Sequence, residues 1–265
     1  SSKANQPLIS PLTESVICFN GEIYNYRELR YKLTKLGHKF KTSSDTEVLL
    51  GCYDEWGVNC VKYLNGMFSF AIFDPYKKVV FAARDRAGEK PFFYSLQDGF
   101  RFCSELKGLL SDPSLSRKIN NLAVNCFMEI GYVPGNKCII DNFHKLPPGN
   151  YITYNLVTGE ALVSRYWDIP QPIFNDEVQN ETNLAAKLTS LLSKSVSKQF
   201  CADVPIGVLL SGGLDSSVIA ALAAKTGNSV HTYSVGFPGA KGFDETIYAR
   251  SVSKHIGSIH HEFMG

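Results

Sequence analysis

The chain predicts two mixed α/β domains in series, an α+β domain over residues 1–168 and a doubly wound parallel α/β domain over 183–265. Three observations predict it. From residue 204 the apolar pattern alternates strand, helix, strand, helix, strand, which builds a parallel sheet with crossover helices. Before residue 168 the chain is β-rich with helices interposed. Between them, Ile169–Gln179 holds two prolines and several polar residues with no clear period, so the linker is placed at 169–182.

The elements follow in order. Ser15–Asn20 is a strand, and Asn25 with Glu28 three residues later starts a helix. Ser44-Asp45-Thr46-Glu47 is a capping box that opens a helix with Val48, Leu49, Cys52, Tyr53 and Trp56 inward, stopped at Gly57. Met67–Phe73 and Lys78–Arg84 are strands joined through Asp74-Pro75. Shorter strands follow near Pro91–Ser95 and Phe100–Cys103, then a helix through Leu110 capped by Ser104, and another helix over Asn121–Ile130. Asn150–Tyr154 and Leu162–Trp167 form a hairpin. After the linker, a helix over 183–198 carries Leu184, Leu188, Leu191 and Leu192 at helical spacing. Strands at 204–210, 230–235 and 259–263 alternate with helices at 216–225 and 244–256. Three strands are few for a doubly wound sheet, so the sheet is expected to continue past Gly265.

The loop Ser211-Gly212-Gly213-Leu214-Asp215-Ser216-Ser217 joins an apolar strand to an alanine-rich helix. Such a turn aims backbone N–H groups and a positive helix end at one point, where phosphate binds. The glycines permit close approach, the serines add hydroxyls, and Asp215 adds a carboxylate that a metal ion can bridge to phosphate. The loop lacks the lysine and spacing of a Walker A sequence.

Bulk properties exclude other classes. A hydrophobic fraction of 44% supports real cores, and a net charge of +2 gives no argument for nucleic acid. No apolar run reaches membrane-spanning length, so no membrane partner is expected. Seven cysteines without C-x-x-C or zinc-finger spacing read as free thiols in a reducing, cytoplasmic setting. Nothing in the sequence speaks against a homo-oligomer. His260-His261-Glu262 is not a ligand cluster, because neighbours on a strand face opposite sides. The charged connection Arg84–Pro91 reads as architecture.

Asn20-Gly21-Glu22-Ile23-Tyr24-Asn25, Ser44-Asp45-Thr46-Glu47, Asn65-Gly66-Met67-Phe68 and Arg84-Asp85-Arg86-Ala87-Gly88-Glu89-Lys90-Pro91, followed by the 211–217 loop, together resemble the glutamine-dependent asparagine synthetase family. The resemblance covers almost the whole chain in the family's order. It implies a type-2 glutamine amidotransferase domain over 1–168, with an N-terminal-nucleophile-type layered αββα fold. Residues 183–265 would be the first half of an ATP-pyrophosphatase synthetase domain. Glutamine, aspartate and ATP are the implied substrates, with Mg²⁺ beside ATP and β-aspartyl-AMP as intermediate. The runner-up is a related ligase that adenylates another carboxylate, as β-lactam synthetases or sugar-acid amidating enzymes do; a non-catalytic paralogue is the third reading.

The resemblance assigns residues individually. The Asn20 amide and Gly21 N–H match the family's oxyanion donors, and Glu22 and Asp45 match carboxylates for the glutamine α-ammonium. Asp45 has an equally ordinary role as a first-turn helix acid. Ser211, Gly212, Gly213, Asp215, Ser216 and Ser217 match the pyrophosphate loop, with Asp215 the metal-side residue. Leu210 and Val235 match adenosine contacts, although their residue types alone read as core. The family's nucleophile is an N-terminal cysteine, whereas residue 1 here is Ser1 and no motif near it matches the family's start. The resemblance therefore implies a chain truncated at both ends and inactive by itself.

Overall fold

The computed structural model describes residues 5–172, 180–200, 205–227, 229–237, 239 and 244–265. Ser1, Cys201, the 173–179 part of the linker and the expected strand start at Val204 lie outside the described residues. The chain divides into two compact units, Ser1–Gln171 and Pro172–Gly265.

The first unit is layered helix, sheet, sheet, helix. Its six-stranded antiparallel sheet runs in the order β1 (Leu8–Ile9), β2 (Val16–Ile23), β3 (Gly66–Asp74), β4 (Val79–Arg84), then β8 (Asn150–Asn155) and β9 (Ala161–Arg165). One face is covered by α1 (Tyr26–Lys35) and α2 (Asp45–Trp56): Ile17, Ile23, Phe68, Phe70 and Phe81 pack with Leu29, Leu33, Val48, Leu49 and Tyr53. Against the other face lies a smaller sheet of β6 (Arg101–Cys103), β5 (Phe93–Ser95) and β7 (Phe143–Lys145), with Phe92, Tyr94 and Leu146 meeting Ala71, Ala82 and Ile152. The outer face of that sheet carries α3 (Leu106–Leu110), whose Leu109 packs with Phe143. Strand alternation produces this sandwich, because successive side chains serve opposite layers. The helix α4 (Asn121–Ile130) is capped by Asn120 and buries only Ala123.

Several local expectations are corrected. The capping box at α2 is half formed: Ser44 Oγ accepts the Glu47 N–H at 3.2 Å. The Glu47 carboxylate reaches further back, to the Lys41 and Thr42 N–H groups, each at 2.7 Å. α2 does stop at Gly57, which caps it with φ 55°, and a separate 3₁₀ segment, Gly57–Lys62, follows. Lys78 takes a left-handed conformation (φ 53°), so β4 starts one residue later than expected. Glu105 rather than Ser104 stands at the N-cap of α3. The short strands β1 and β7 had no signal in the residue pattern.

The second unit holds α5 (Glu181–Gln199) and a parallel sheet ordered β10 (Gly207–Leu209), β11 (His231–Gly236), β12 (Ile259–Met264). Its crossover helices are α6 (Leu214–Ala224) and α7 (Thr246–Ile256). Val208, Leu210, Ala220, Ala223, Val230 and Ala249 form the core. Of the helically spaced leucines on α5, only Leu192 packs against this core, while Leu184, Leu188 and Leu191 are exposed.

Candidate functional site

In the first unit, Asn20, Gly21 and Glu22 lie inside β2, not after it, opposite Ser69, Phe68 and Met67 of β3. Gly21 has φ 147°, and a Cβ there would sit 2.1 Å from the Met67 carbonyl oxygen, so no other residue fits. The Phe68 groups opposite Gly21 are both taken by Asp85, whose N–H donates to the Phe68 carbonyl and whose carboxylate accepts the Phe68 N–H. Asp45, in the first turn of α2, accepts the Ile23 N–H at 3.0 Å and so ties the helix start to the end of the Asn20–Glu22 strand. One carboxylate thus serves both the first turn of α2 and the end of β2.

The Asn20 Nδ2 donates to Ser104 Oγ at 3.3 Å. Asn20 and Ser104 line a pocket of about 170 Å³ with Cys18, Ser69, Phe102 and Cys103. Tyr24 stands in the turn that directly follows β2. Burial and then the carboxylates of Glu89, Glu22 and Asp85 push its phenol up to about 12, which leaves a neutral donor in an acidic setting.

The Arg84–Pro91 connection is structural. The Arg84 guanidinium donates to the carbonyls of Gly88, Lys90 and Leu146. Asp85, 1% exposed, accepts four backbone N–H groups, from Phe68, Ala87, Glu89 and Lys90.

In the second unit, β10 ends at Leu209 and α6 starts at Leu214, with Gly213 at its N-cap. Gly212 has φ 90°, and a Cβ there would sit 2.5 Å from Tyr248 Cβ and 2.6 Å from Ala249 N, so the loop turns against the start of α7. The loop ties itself together. Ser211 Oγ accepts the Gly213 N–H at 3.3 Å and lies 2.9 Å from Ser216 Oγ, and Ser217 Oγ donates to the Gly213 carbonyl at 2.7 Å. Asp215 is the acidic residue in the first turn of α6.

Beside this loop opens a cleft of about 480 Å³ at the carboxyl ends of β10 and β11. It brings together Leu210, Ser211 and Val235. Leu210 is 1% exposed and its N–H donates to the Tyr233 carbonyl at 2.8 Å, whereas Val235 is 55% exposed. Gly212, Gly213, Asp215, Ser216 and Ser217 stand next to the cleft at the helix end rather than in its wall. Its wall also holds residues that sequence reasoning passed over, apolar Phe237 and Phe263 and polar Ser234, Glu245 and Thr246. The two cysteines of the first pocket, Cys18 and Cys103, have thiols raised by burial, which disfavours thiolate chemistry there.

A glutamine amidotransferase domain model matches residues 1–167. The chain belongs to the glutamine amidotransferase domain family. An asparagine synthase family model matches residues 187–264. A putative glutamine-hydrolysing asparagine synthetase 2 of Methanocaldococcus jannaschii is 38% identical over 256 residues, 94% of this chain and 48% of that protein. A glutamine-hydrolysing asparagine synthetase 3 of Bacillus subtilis is 35% identical over 263 residues, 93% of this chain and 42% of that protein. The chain thus spans less than half the length of these relatives. A solved glutamine phosphoribosylpyrophosphate amidotransferase from B. subtilis superposes with a TM-score of 0.41 at 17% identity, over 97% of this chain and 48% of that one, too loose a likeness to weigh. No described helix is long and apolar enough to cross a membrane.

Proposed function

We propose that this chain serves glutamine-dependent asparagine synthesis, with a glutamine-hydrolysing first unit and a second unit that binds ATP for the formation of β-aspartyl-AMP from aspartate. The observation that carries the reading is the 211–217 loop. It links a parallel strand to a helix N-terminus and borders a largely apolar cleft at the strands' carboxyl ends, the place where open α/β sheets bind ligands. The relatives' names and the two family matches support it from outside the geometry.

The proposed division of labour follows the chemistry. The α6 N-terminus offers backbone N–H groups and a partial positive charge to the pyrophosphate part of ATP. Ser211, Ser216 and Ser217 supply hydroxyls that now satisfy one another and the Gly213 carbonyl, and that re-aim when phosphate arrives. Leu210 and Val235 bound the apolar space for the adenosine part. Mg²⁺ takes one or two carboxylates together with phosphate oxygens and keeps waters, so the single exposed carboxylate of Asp215 fits it; the ion supplies charge neutralisation at the phosphates. In the first unit, the Asn20 amide and the Gly21 N–H are the proposed oxyanion donors for glutamine hydrolysis. Glu22 and Asp45 are the proposed carboxylates for the substrate's α-ammonium. Residues 1–168 and 183–265 are accordingly proposed as the amidotransferase part and the synthetase part, in the cytoplasm.

The whole polypeptide carrying this sequence, given ATP, aspartate and glutamine, is expected to yield asparagine, AMP, pyrophosphate and glutamate. AMP formed only with a different carboxylate would replace this reading with that of a related ligase. No AMP with any carboxylate would remove the enzymatic reading.

A further inference from the structure

The face of a parallel sheet beneath its crossover helices is ordinarily apolar, because both layers are buried. Under α7 the face of β11 and β12 is not. Thr232 is fully buried there, Ser234 is 8% exposed, and His260 stands between them. His260 Nδ1 lies 2.9 Å from Thr232 Oγ1, and its Nε2 lies 3.2 Å from Ser234 Oγ and 3.4 Å from Glu262 Oε1. Glu262 is gripped bidentately by Arg250, at 2.6 and 2.7 Å. Those hydrogen bonds hold its carboxyl below the usual range despite desolvation.

These contacts set a direction. An anionic oxygen beside Nε2 selects the imidazole tautomer that carries its proton there. In the neutral imidazole Nδ1 then accepts, so Thr232 donates to it. Ser258 Oγ lies 2.9 Å from Thr232 Oγ1 and donates in turn. At the other end Ser234 Oγ accepts from Nε2, which leaves the Ser234 proton to point elsewhere. Ser234 lines the 480 Å³ cleft beside Ser211. A chain of hydrogen bonds running one way polarises each member and sharpens the last donor.

We infer that Ser234 is a nucleotide-binding residue that donates a hydrogen bond to an acceptor oxygen of the bound nucleotide, and that His260 is the positioning residue that fixes the polarity of that donor. The inference rests on the reading of this cleft as a nucleotide site. The face of β11 and β12 under α7 is polar because it holds a ligand-facing hydroxyl in one orientation.

A double-mutant cycle on the whole polypeptide carrying this sequence, titrated with Mg·ATP, tests it. Ser234→Ala and His260→Ala each weaken binding about tenfold, the double variant loses no more than either alone, and Ser234→Thr, which keeps the hydroxyl, stays within about twofold. Circular dichroism and proteolysis confirm that each variant is folded. Losses that multiply in the double variant would overturn the positioning role, because His260 would then act independently of Ser234. Mg·ATP binding that is present in the wild type and undiminished in Ser234→Ala would overturn the inference and leave the nucleotide site standing. A wild-type chain that does not bind Mg·ATP would overturn both.

Discussion

Gly212 and Gly213 are adjacent, chemically identical and unequal in what they carry. At Gly212 the backbone has φ 90°, and an added methyl would stand 2.5 Å from Tyr248 Cβ and 2.6 Å from the Ala249 nitrogen. Holding an L-residue in that conformation costs about 1–3 kcal/mol, and pushing a methyl into packed backbone costs about 1–3 kcal/mol more. At Gly213 the backbone is in an ordinary N-cap conformation (φ −68°), and the nearest atom to an added methyl is Ser211 Oγ at 3.4 Å. That leaves only the N-cap preference, below about 1 kcal/mol. Gly212→Ala is therefore expected to destabilise the second unit by at least about 1 kcal/mol more than Gly213→Ala does. Trp56 and Trp167 both lie in the first unit, so fluorescence does not report on this change. Pulse proteolysis across a urea series, scored on fragments from residues 180–265, does. The Gly212→Ala midpoint should fall about 1 M below that of Gly213→Ala. Equal midpoints, or a larger fall for Gly213→Ala, would refute the argument that the loop is pressed against the start of α7.

Three further outcomes are expected. Gly21→Ala places a methyl 2.1 Å from the Met67 oxygen and 2.7 Å from Phe68 Cα, and should destabilise the first unit by about 3 kcal/mol or abolish its folding, read by tryptophan fluorescence in urea. Asp85→Asn leaves one carboxylate oxygen's worth of backbone N–H groups facing an NH₂ group, and should cost about 3 kcal/mol while leaving secondary structure unchanged by circular dichroism. Asp74 is buried, which works against its charge, yet hydrogen bonds from Lys77 and Tyr53 outweigh this and lower its pKa. A depressed folded pKa gives stability that is present above the unfolded carboxylate pKa of about 3.9 and lost as pH falls below it, so Asp74→Asn should flatten the acid limb of the first unit's stability profile below about pH 4.

The element order was legible because the periodicities are strong. Val48 and Leu49 are buried as the α2 pattern indicates, and the continuous runs in β3 and β4 are buried on both faces. What the pattern hid depends on tertiary partners. β1 is two residues long and β7 three, too short for alternation to register, and both exist through antiparallel pairing with β2 and β5. Leu184, Leu188 and Leu191 keep helical spacing without a core beneath them, since only the end of α5 near Leu192 and Val196 meets the second unit's core. The glycine loop announced an anion site, but no spacing rule distinguishes Gly212 from Gly213. The difference arises from α7, more than thirty residues later in the chain. Ser234 went unnoticed, and His260 was weighed only as a metal ligand, for a related reason: a serine in a strand looks ordinary until the cleft and the imidazole are placed on either side of it.

The central claim is that the 211–217 loop holds the phosphates of ATP. Amide hydrogen exchange on the whole polypeptide carrying this sequence, with and without Mg·ATP, measures it at the backbone groups concerned. The account predicts slowed exchange at Gly212–Ser217, at the start of α6, and no change at Asn20–Glu22. Protection confined to another segment, or none at saturating Mg·ATP, would contradict it.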